Sequence, residues 1–415
     1  MISRCLAVLL LLSAPAWAEA VPVFSPTGPQ ADAFGAADGY PIGTAATMGQ
    51  QKHLVGAYSH FDQILPTRLV PRAEAPSALS RASQELTLEY TDHGQTHTLD
   101  DYLDRHPTTG MLILRDHTIM FEHYRYDRTD TERFTSQSMA KTVIAMLVGI
   151  AVGEGKIKSI NDPASAYVTE LAGTQLGRTP LRALLTMTGG MAFHEAYNGH
   201  DDIAKMSRDL RHDGNKPVDV LRQFDSRAAE PGTVFHYSGL DSELLGLVLT
   251  RATGTTVSDY LASRIWQKIG TEADASWVVD ASGQEMTHCC LNAVLRDWGR
   301  FGALLAQDGA WDGAQVIPPQ WVLDATAAPP ADSVLAPRGK RLLGYGYMVW
   351  TLPGARRQFA LLGVHGQVIL VDPASKLVLV HTAVRPQAKG DPMADELMSL
   401  WSALVAREGK LAAGG

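Results

Sequence analysis

The chain is expected to be an α+β protein in which an antiparallel sheet flanked by helices, built from both ends of the sequence, carries an inserted all-helical lobe. Three observations point there. Alternating apolar runs stand at 110–115 and 118–124, and strand-like runs recur far downstream at 344–351, 368–371 and 376–382. Between them, from Asp162 to about Gly283, the pattern is helical. Strands at both ends with helices between them imply one shared sheet, and a cleft between the two lobes is the natural place for a site.

Taken in order, residues 1–18 read as an export signal: Arg4 opens a short basic start, 6–12 are apolar, and Ala16-Trp17-Ala18 is a small-x-small cleavage site. The apolar run is too short to span a bilayer, so the mature protein is expected to be soluble, periplasmic or secreted, with no stable membrane insertion. Residues 19–80, rich in Pro, Gly and Ala, lack a sustained period and are expected to wrap the surface as an irregular arm. The sheet lobe is assigned to 81–160 and 292–410, the helical lobe to 161–291. Within the first, 110–115 and 118–124 form a hairpin about Asp116-His117, and the run Val143, Ile144, Met146, Leu147, Ile150 predicts a helix that Gly153 to Gly155 stop. Further helices are expected over 181–187, 219–224, 240–252, 257–269, 297–306 and 393–406, and a second hairpin about Asp372-Pro-Ala-Ser-Lys376.

Composition excludes several classes. With 415 residues, 45% apolar and 19% charged, the chain buries a sizeable core and holds no low-complexity tract. A net charge of −8 with no basic patch gives no reason to expect a nucleic-acid partner; a small-molecule substrate is the partner anticipated, and nothing fixes an oligomeric state. Cys5 leaves with the signal. Cys289 and Cys290 then remain, and because neighbouring cysteines close only a strained ring, two buried thiols are expected rather than a disulfide. His288 and these cysteines lack a second ligand pair at zinc spacing, so neither metal nor other cofactor is expected.

The chemistry is concentrated in Arg133-Phe-Thr-Ser-Gln-Ser-Met-Ala-Lys-Thr142. A Ser-x-x-Lys pair arises by chance about once in a chain of this length. Here, however, Ser138 opens a helix too apolar for a surface, which puts Lys141 one turn on along the same face and supplies the burial that lowers a lysine pKa. Such an amine can take the proton of a serine hydroxyl. A second candidate is Tyr237, just before the helix of 240–252, where a neighbouring ammonium would ease loss of the phenol proton. The third is Leu361-Leu-Gly-Val-His-Gly-Gln367, whose glycines let a ligand approach backbone N–H groups.

In this order the three pieces resemble the serine β-lactamase and penicillin-binding-protein superfamily, closest to its 6-aminohexanoate-dimer hydrolases and β-lactamase-fold carboxylesterases. Leu184-Leu-Thr-Met-Thr-Gly-Gly190, Asn292-Ala-Val-Leu-Arg-Asp-Trp298 and Val371-Asp-Pro373 add to the likeness. The resemblance implies a β-lactamase/transpeptidase-like fold and a serine hydrolase, esterase or amidase. Ser138 would be the acylated nucleophile, Lys141 its base and Tyr237 a second proton carrier, with the backbone N–H groups of Ser138 and Val364 holding the oxyanion. It further implies Tyr197 as a lid over the substrate amide and Trp350 as a pocket wall.

Two departures set the expected activity. Gly239 stands where true β-lactamases carry an Asn, and Leu361-Leu-Gly363 replaces a Lys-Thr-Gly triad, leaving only His365 as a substitute contact for a substrate carboxylate. Small esters or linear amides are therefore favoured over β-lactams and D-alanyl-D-alanine peptides. The rivals are a non-catalytic binding homologue, a metal site at His194, His200, Asp201 and Asp202, and a Ser-His-Asp hydrolase, for which no Gly-x-Ser-x-Gly elbow exists.

Overall fold

The computed structural model describes residues 21–390 and 395–409; the expected export signal at 1–18 lies outside them. Among the described residues, five strands have five residues or more: β1 (Thr108–Arg115), β2 (Thr118–Tyr124), β3 (Phe359–Gly363), β4 (Gln367–Asp372) and β5 (Leu377–Ala383). They pair antiparallel in the order β2-β1-β5-β4-β3, so the two ends of the chain meet at β1 and β5, with Ile113 opposite Leu379. The sheet is antiparallel except at its edge, where Val23–Phe24 and Ser80–Arg81 run parallel to β2. Asp116 and His117, both at positive φ (45° and 65°), make the two-residue turn of the β1–β2 hairpin.

Both faces of this sheet are covered, so the run at 111–114, expected to alternate, is apolar and buried at every position. On one face Leu112, Leu114, Val378 and Ile369 meet α3 (Leu295–Ala306); on the other Met111, Ile113, Leu379 and Leu370 meet α4 (Glu396–Glu408). Gly299 and Gly302 let α3 lie close, since a Cβ at either would fall within 2.7 Å of Leu112 and Leu114 or 2.5 Å of Val378. The helices α1 (Ala140–Gly153) and α2 (Gly239–Thr253) pack together beside the sheet, and α1 is buried at every residue from Ala140 to Ala151. Among the described residues, no helix is long and apolar enough to cross a membrane.

Several expectations need correction. The arm is not only a surface wrap: Leu54–Tyr58 is a buried helical turn, and Thr67–Val70 is a strand paired with Ala275–Val278. Pieces this short show no period. That strand is the edge of a four-stranded sheet continued by Leu291–Ala293 and Phe134–Thr135, which crosses the boundary assigned between lobes at 291 and 292. Residues 344–351 form two short strands, Gly344–Tyr345 and Trp350–Thr351, rather than one. Gly346 bends the run by resting against the carbonyl of Ala325, where a Cβ would lie 1.9 Å from the oxygen. The helix of 257–269 is Val257–Leu261 followed by a π turn, Ala262–Trp266.

Candidate active site

The small sheet delivers Ser138. Thr135 pairs with Asn292, and Ser136 closes the ladder: its N–H donates to Leu291 O at 2.8 Å and its Oγ accepts from Leu291 N at 3.1 Å. One 3₁₀ turn, Gln137–Met139, then carries Ser138 to the mouth of α1. Lys141, three residues on, donates from Nζ to Ser138 Oγ at 2.9 Å and to the carbonyl of His288 at 2.6 Å. Its side chain is buried among the apolar residues of α1, and among the described residues no carboxylate pairs with it. Burial therefore holds its pKa below the ordinary lysine value, against the opposing charges of Glu195 and Glu243.

The carbonyl that anchors Lys141 is itself fixed by groups no sequence motif marks. Glu243, on the buried face of α2, accepts from His288 N–H at 3.1 Å and pairs with His288 Nδ1 at 2.8 Å, while His288 Nε2 lies 3.1 Å from Ser207 Oγ. Cys289 and Cys290, expected as thiols, are joined as a disulfide directly after this carbonyl. Cys290 takes a left-handed backbone, φ 72°, and Trp277 Nε1 donates to the carbonyls of Met286 and Cys289, so the pinned segment turns the two side chains toward each other.

Tyr237 and Tyr197 both present their hydroxyls to Ser138. Contrary to expectation, Tyr237 is harder to ionise than an ordinary tyrosine. Burial dominates, the Glu195 carboxylate adds to it, and the Lys141 ammonium lies over the ring face, 5.2 Å from its centre, rather than at the hydroxyl. Trp350 stacks on that ring at 5.6 Å and lines the same cavity. Tyr197 is likewise held as a phenol, by burial and by Glu195, to whose carboxylate it donates. Asp201 sets the loop: the N-cap of helix Asp202–Leu210, it also accepts the N–H groups of Ala196 and Tyr197 at 2.6 and 2.5 Å.

Glu195 was missed by sequence reasoning, and it explains Gly239. The Gly239 N–H donates to Glu195 Oε2 at 2.5 Å, and a Cβ there would meet Ile203 at 2.6 Å and that carboxylate at 3.2 Å. The space an Asn side chain would fill is taken by a glutamate from the loop before helix Asp202–Leu210. The rival metal ligands are spent locally, Asp202 on His194 at 3.2 Å and Asp201 on loop N–H groups.

The last piece is the β3–β4 turn, Val364–Gly366. Gly363 rests on the Ser138 segment so closely that a Cβ would lie 2.5 Å from Ser136 O and 2.9 Å from Gln137 Cβ, which brings Val364 beside Ser138. His365, expected at the substrate, turns away: at φ 62° its Nδ1 meets Arg385 O at 2.6 Å and its ring packs edge-on to Tyr58. Ser138, Tyr197, Tyr237, Trp350, Gly363 and Val364 line one cleft of about 770 Å³.

This fold, with a serine–lysine pair at the start of its buried helix, defines a β-lactamase-fold hydrolase. The chain belongs to the Beta-lactamase family, whose model matches residues 96–400. It is 25% identical over 367 residues to the 6-aminohexanoate-dimer hydrolase of Paenarthrobacter ureafaciens, covering 85% of this chain and 90% of that one. A solved structure of a candidate 6-aminohexanoate-dimer hydrolase from Bacillus anthracis superposes with a TM-score of 0.76 at 23% identity, over 86% of this chain and 95% of the other. A penicillin-binding protein from Bacillus halodurans shares the fold with a TM-score of 0.55 at 17% identity, over 71% and 96%.

Proposed function

We propose that the protein is an exported serine hydrolase that cleaves small ester or linear amide substrates through an acyl-enzyme on Ser138. The observation that carries this reading is the buried Lys141 amine, 2.9 Å from Ser138 Oγ and without a carboxylate partner among the described residues. Lys141 and Tyr237 are pushed in opposite directions, the amine toward neutrality and the phenol toward retention of its proton, which divides the work between a base and an acid. Lys141 takes the hydroxyl proton as Oγ attacks the carbonyl, and the N–H groups of Ser138 and Val364 receive the oxyanion. Tyr237 then protonates the leaving oxygen or nitrogen. Water releases the acyl group by the reverse relay, restoring the free hydroxyl.

Leu361-Leu-Gly363 leading into the turn, with no lysine, favours linear substrates over β-lactams or D-alanyl-D-alanine peptides. Intact-mass labelling with a fluorophosphonate tests the reading. One adduct, absent in Ser138→Ala, is expected, and Lys141→Ala should slow hydrolysis of a short p-nitrophenyl ester by about 10²–10⁴-fold. A folded sample that takes no label would make the chain a binding homologue instead. Residues 1–18 support export, and mature protein recovered from the periplasm or medium should begin at Glu19.

A further inference from the structure

A buried carboxylate stands on α2, unused by this chemistry. Glu243 is 1% exposed, and a carboxylate this deep is costly unless its oxygens are satisfied. Among the described residues, its hydrogen-bond donors all come from one short segment. His288 gives Nδ1 at 2.8 Å and its N–H at 3.1 Å, and Thr287 gives Oγ1 more loosely at 3.5 Å, all to the same oxygen. Ser242 adds a reciprocal pair, its Oγ donating to Thr287 O at 2.8 Å and Thr287 Oγ1 to Ser242 O at 2.9 Å. One turn on, Gly246 lets the segment come this close, since a Cβ there would lie 2.3 Å from Thr287 Oγ1. Residues 242, 243 and 246 of α2 thus clamp 287–288, and the clamp ends at the His288 carbonyl, 2.6 Å from Lys141 Nζ.

Glu243, His288 and Ser207 also stand in the order of a hydrolase triad, 2.8 and 3.1 Å apart. Ser207, however, lies inside the helix Asp202–Leu210, where backbone N–H groups are spent on the helical ladder rather than free for an oxyanion. What the chain of hydrogen bonds controls is the carbonyl. A neutral lysine amine has two N–H bonds and one lone pair, and it can take the serine proton only if the lone pair faces Oγ. With one N–H held by His288 O, the 2.9 Å contact is free to run from the Ser138 O–H to that lone pair. The same carbonyl then faces the ammonium that forms as the proton arrives, and stabilises it.

We propose that Glu243 is a positioning residue of the Ser138 reaction: by clamping residues 287–288 it fixes the carbonyl that orients the Lys141 amine toward Ser138. The proposal rests on the Ser138 reading for its chemistry and on the clamp for its geometry. Burial lowers the Lys141 pKa, and two carboxylates oppose it, Glu195 from the loop before helix Asp202–Leu210 and Glu243 from α2. Tyr237 adds only its ring face and His288 its carbonyl. Removing the Glu243 charge therefore leaves burial less opposed and moves the amine further toward neutrality.

The test follows p-nitrophenyl butyrate hydrolysis against pH. Glu243→Gln should lower kcat by about tenfold with KM little changed, because residue 243 acts through Lys141 rather than on substrate, and should move the acid limb of kcat/KM to lower pH. His288→Ala, which keeps the carbonyl but frees it, should cost kcat about as much. His288→Asn, whose amide nitrogen sits where Nδ1 does, should recover most of that loss. In Glu243→Gln, a kcat within about twofold of wild type, a loss confined to KM or an unmoved acid limb overturns the proposal. Equal losses in the two His288 variants do so too. Should Glu243→Gln fail to fold, judged by circular dichroism, the His288 pair decides alone. Should wild type hydrolyse no ester, the Ser138 reading fails, and titration of the Lys141 amine, followed by NMR of lysine labelled at Cε, decides this one. A midpoint lowered in both Glu243→Gln and His288→Ala supports the clamp, and a midpoint unmoved in either overturns it.

Discussion

At the scale of single residues, surroundings alone push the titratable groups of the site in opposite directions. Lys141 lies among methyl and methylene groups, which push its pKa down; the two tyrosines, also buried and beside Glu195, are pushed up. Tyr197 donates its O–H to Glu195, which leaves the phenol oxygen free to accept. An amide substrate has an N–H to offer there, and an ester has none. Tyr197→Phe should therefore reduce kcat/KM for a linear amide by about tenfold or more while costing an ester of the same acyl group little. Equal losses on the two substrates, measured side by side, would show that Tyr197 packs against substrate without accepting from it.

At the scale of elements, the site is made where two turns meet: the 3₁₀ turn before α1 and the β3–β4 turn. Gly363 allows that meeting. Gly363→Ala should lower kcat by about 10²–10³-fold, the range for losing an oxyanion donor, because the new methyl must push the Val364 turn off Ser136 O. Acyl-enzyme formation followed by stopped-flow checks it, and an unchanged acylation rate would mean that Val364 is not a donor. Much of this scale was legible in the sequence. The apolar runs of β1, β4 and β5 announced strands, and the mostly apolar α1 announced a buried helix with Ser138 at its mouth. What stayed hidden depends on contacts across the fold. Glu195 carries no local signal of filling the space beside Gly239, the His288 anchor acts through a backbone carbonyl that every residue possesses, and His365 faces away because Arg385, twenty residues on, supplies its partner.

For the whole molecule, the seam between chain ends runs along β1 and β5, and a titratable group is buried in it. His381, on β5, is fully buried, with Nδ1 at 2.8 Å from Gly366 O and Nε2 at 2.9 Å from Thr108 Oγ1 across the seam on β1. Burial, reinforced by the Arg385 cation and offset in part by the Gly366 carbonyl and Asp395, depresses its pKa from 6.5 to about 3. The unfolded chain thus binds a proton near pH 6.5 that the folded chain refuses until about pH 3. Its contribution to stability is fully present above pH 6.5 and is lost as the pH falls through that interval. The expected slope is up to about 1.4 kcal/mol per pH unit from this group alone. Urea titrations of wild type and His381→Gln between pH 7 and 4 separate it from other acid effects. The variant, whatever its stability at pH 7, should show a shallower fall, and parallel curves would show that the seam does not exclude the proton. Because the same strand leads to Arg385 and Lys389, acid opening of the seam should also release the turn that holds Val364 against Ser138, so esterase activity should fall in step with unfolding of wild type and persist to lower pH in the variant.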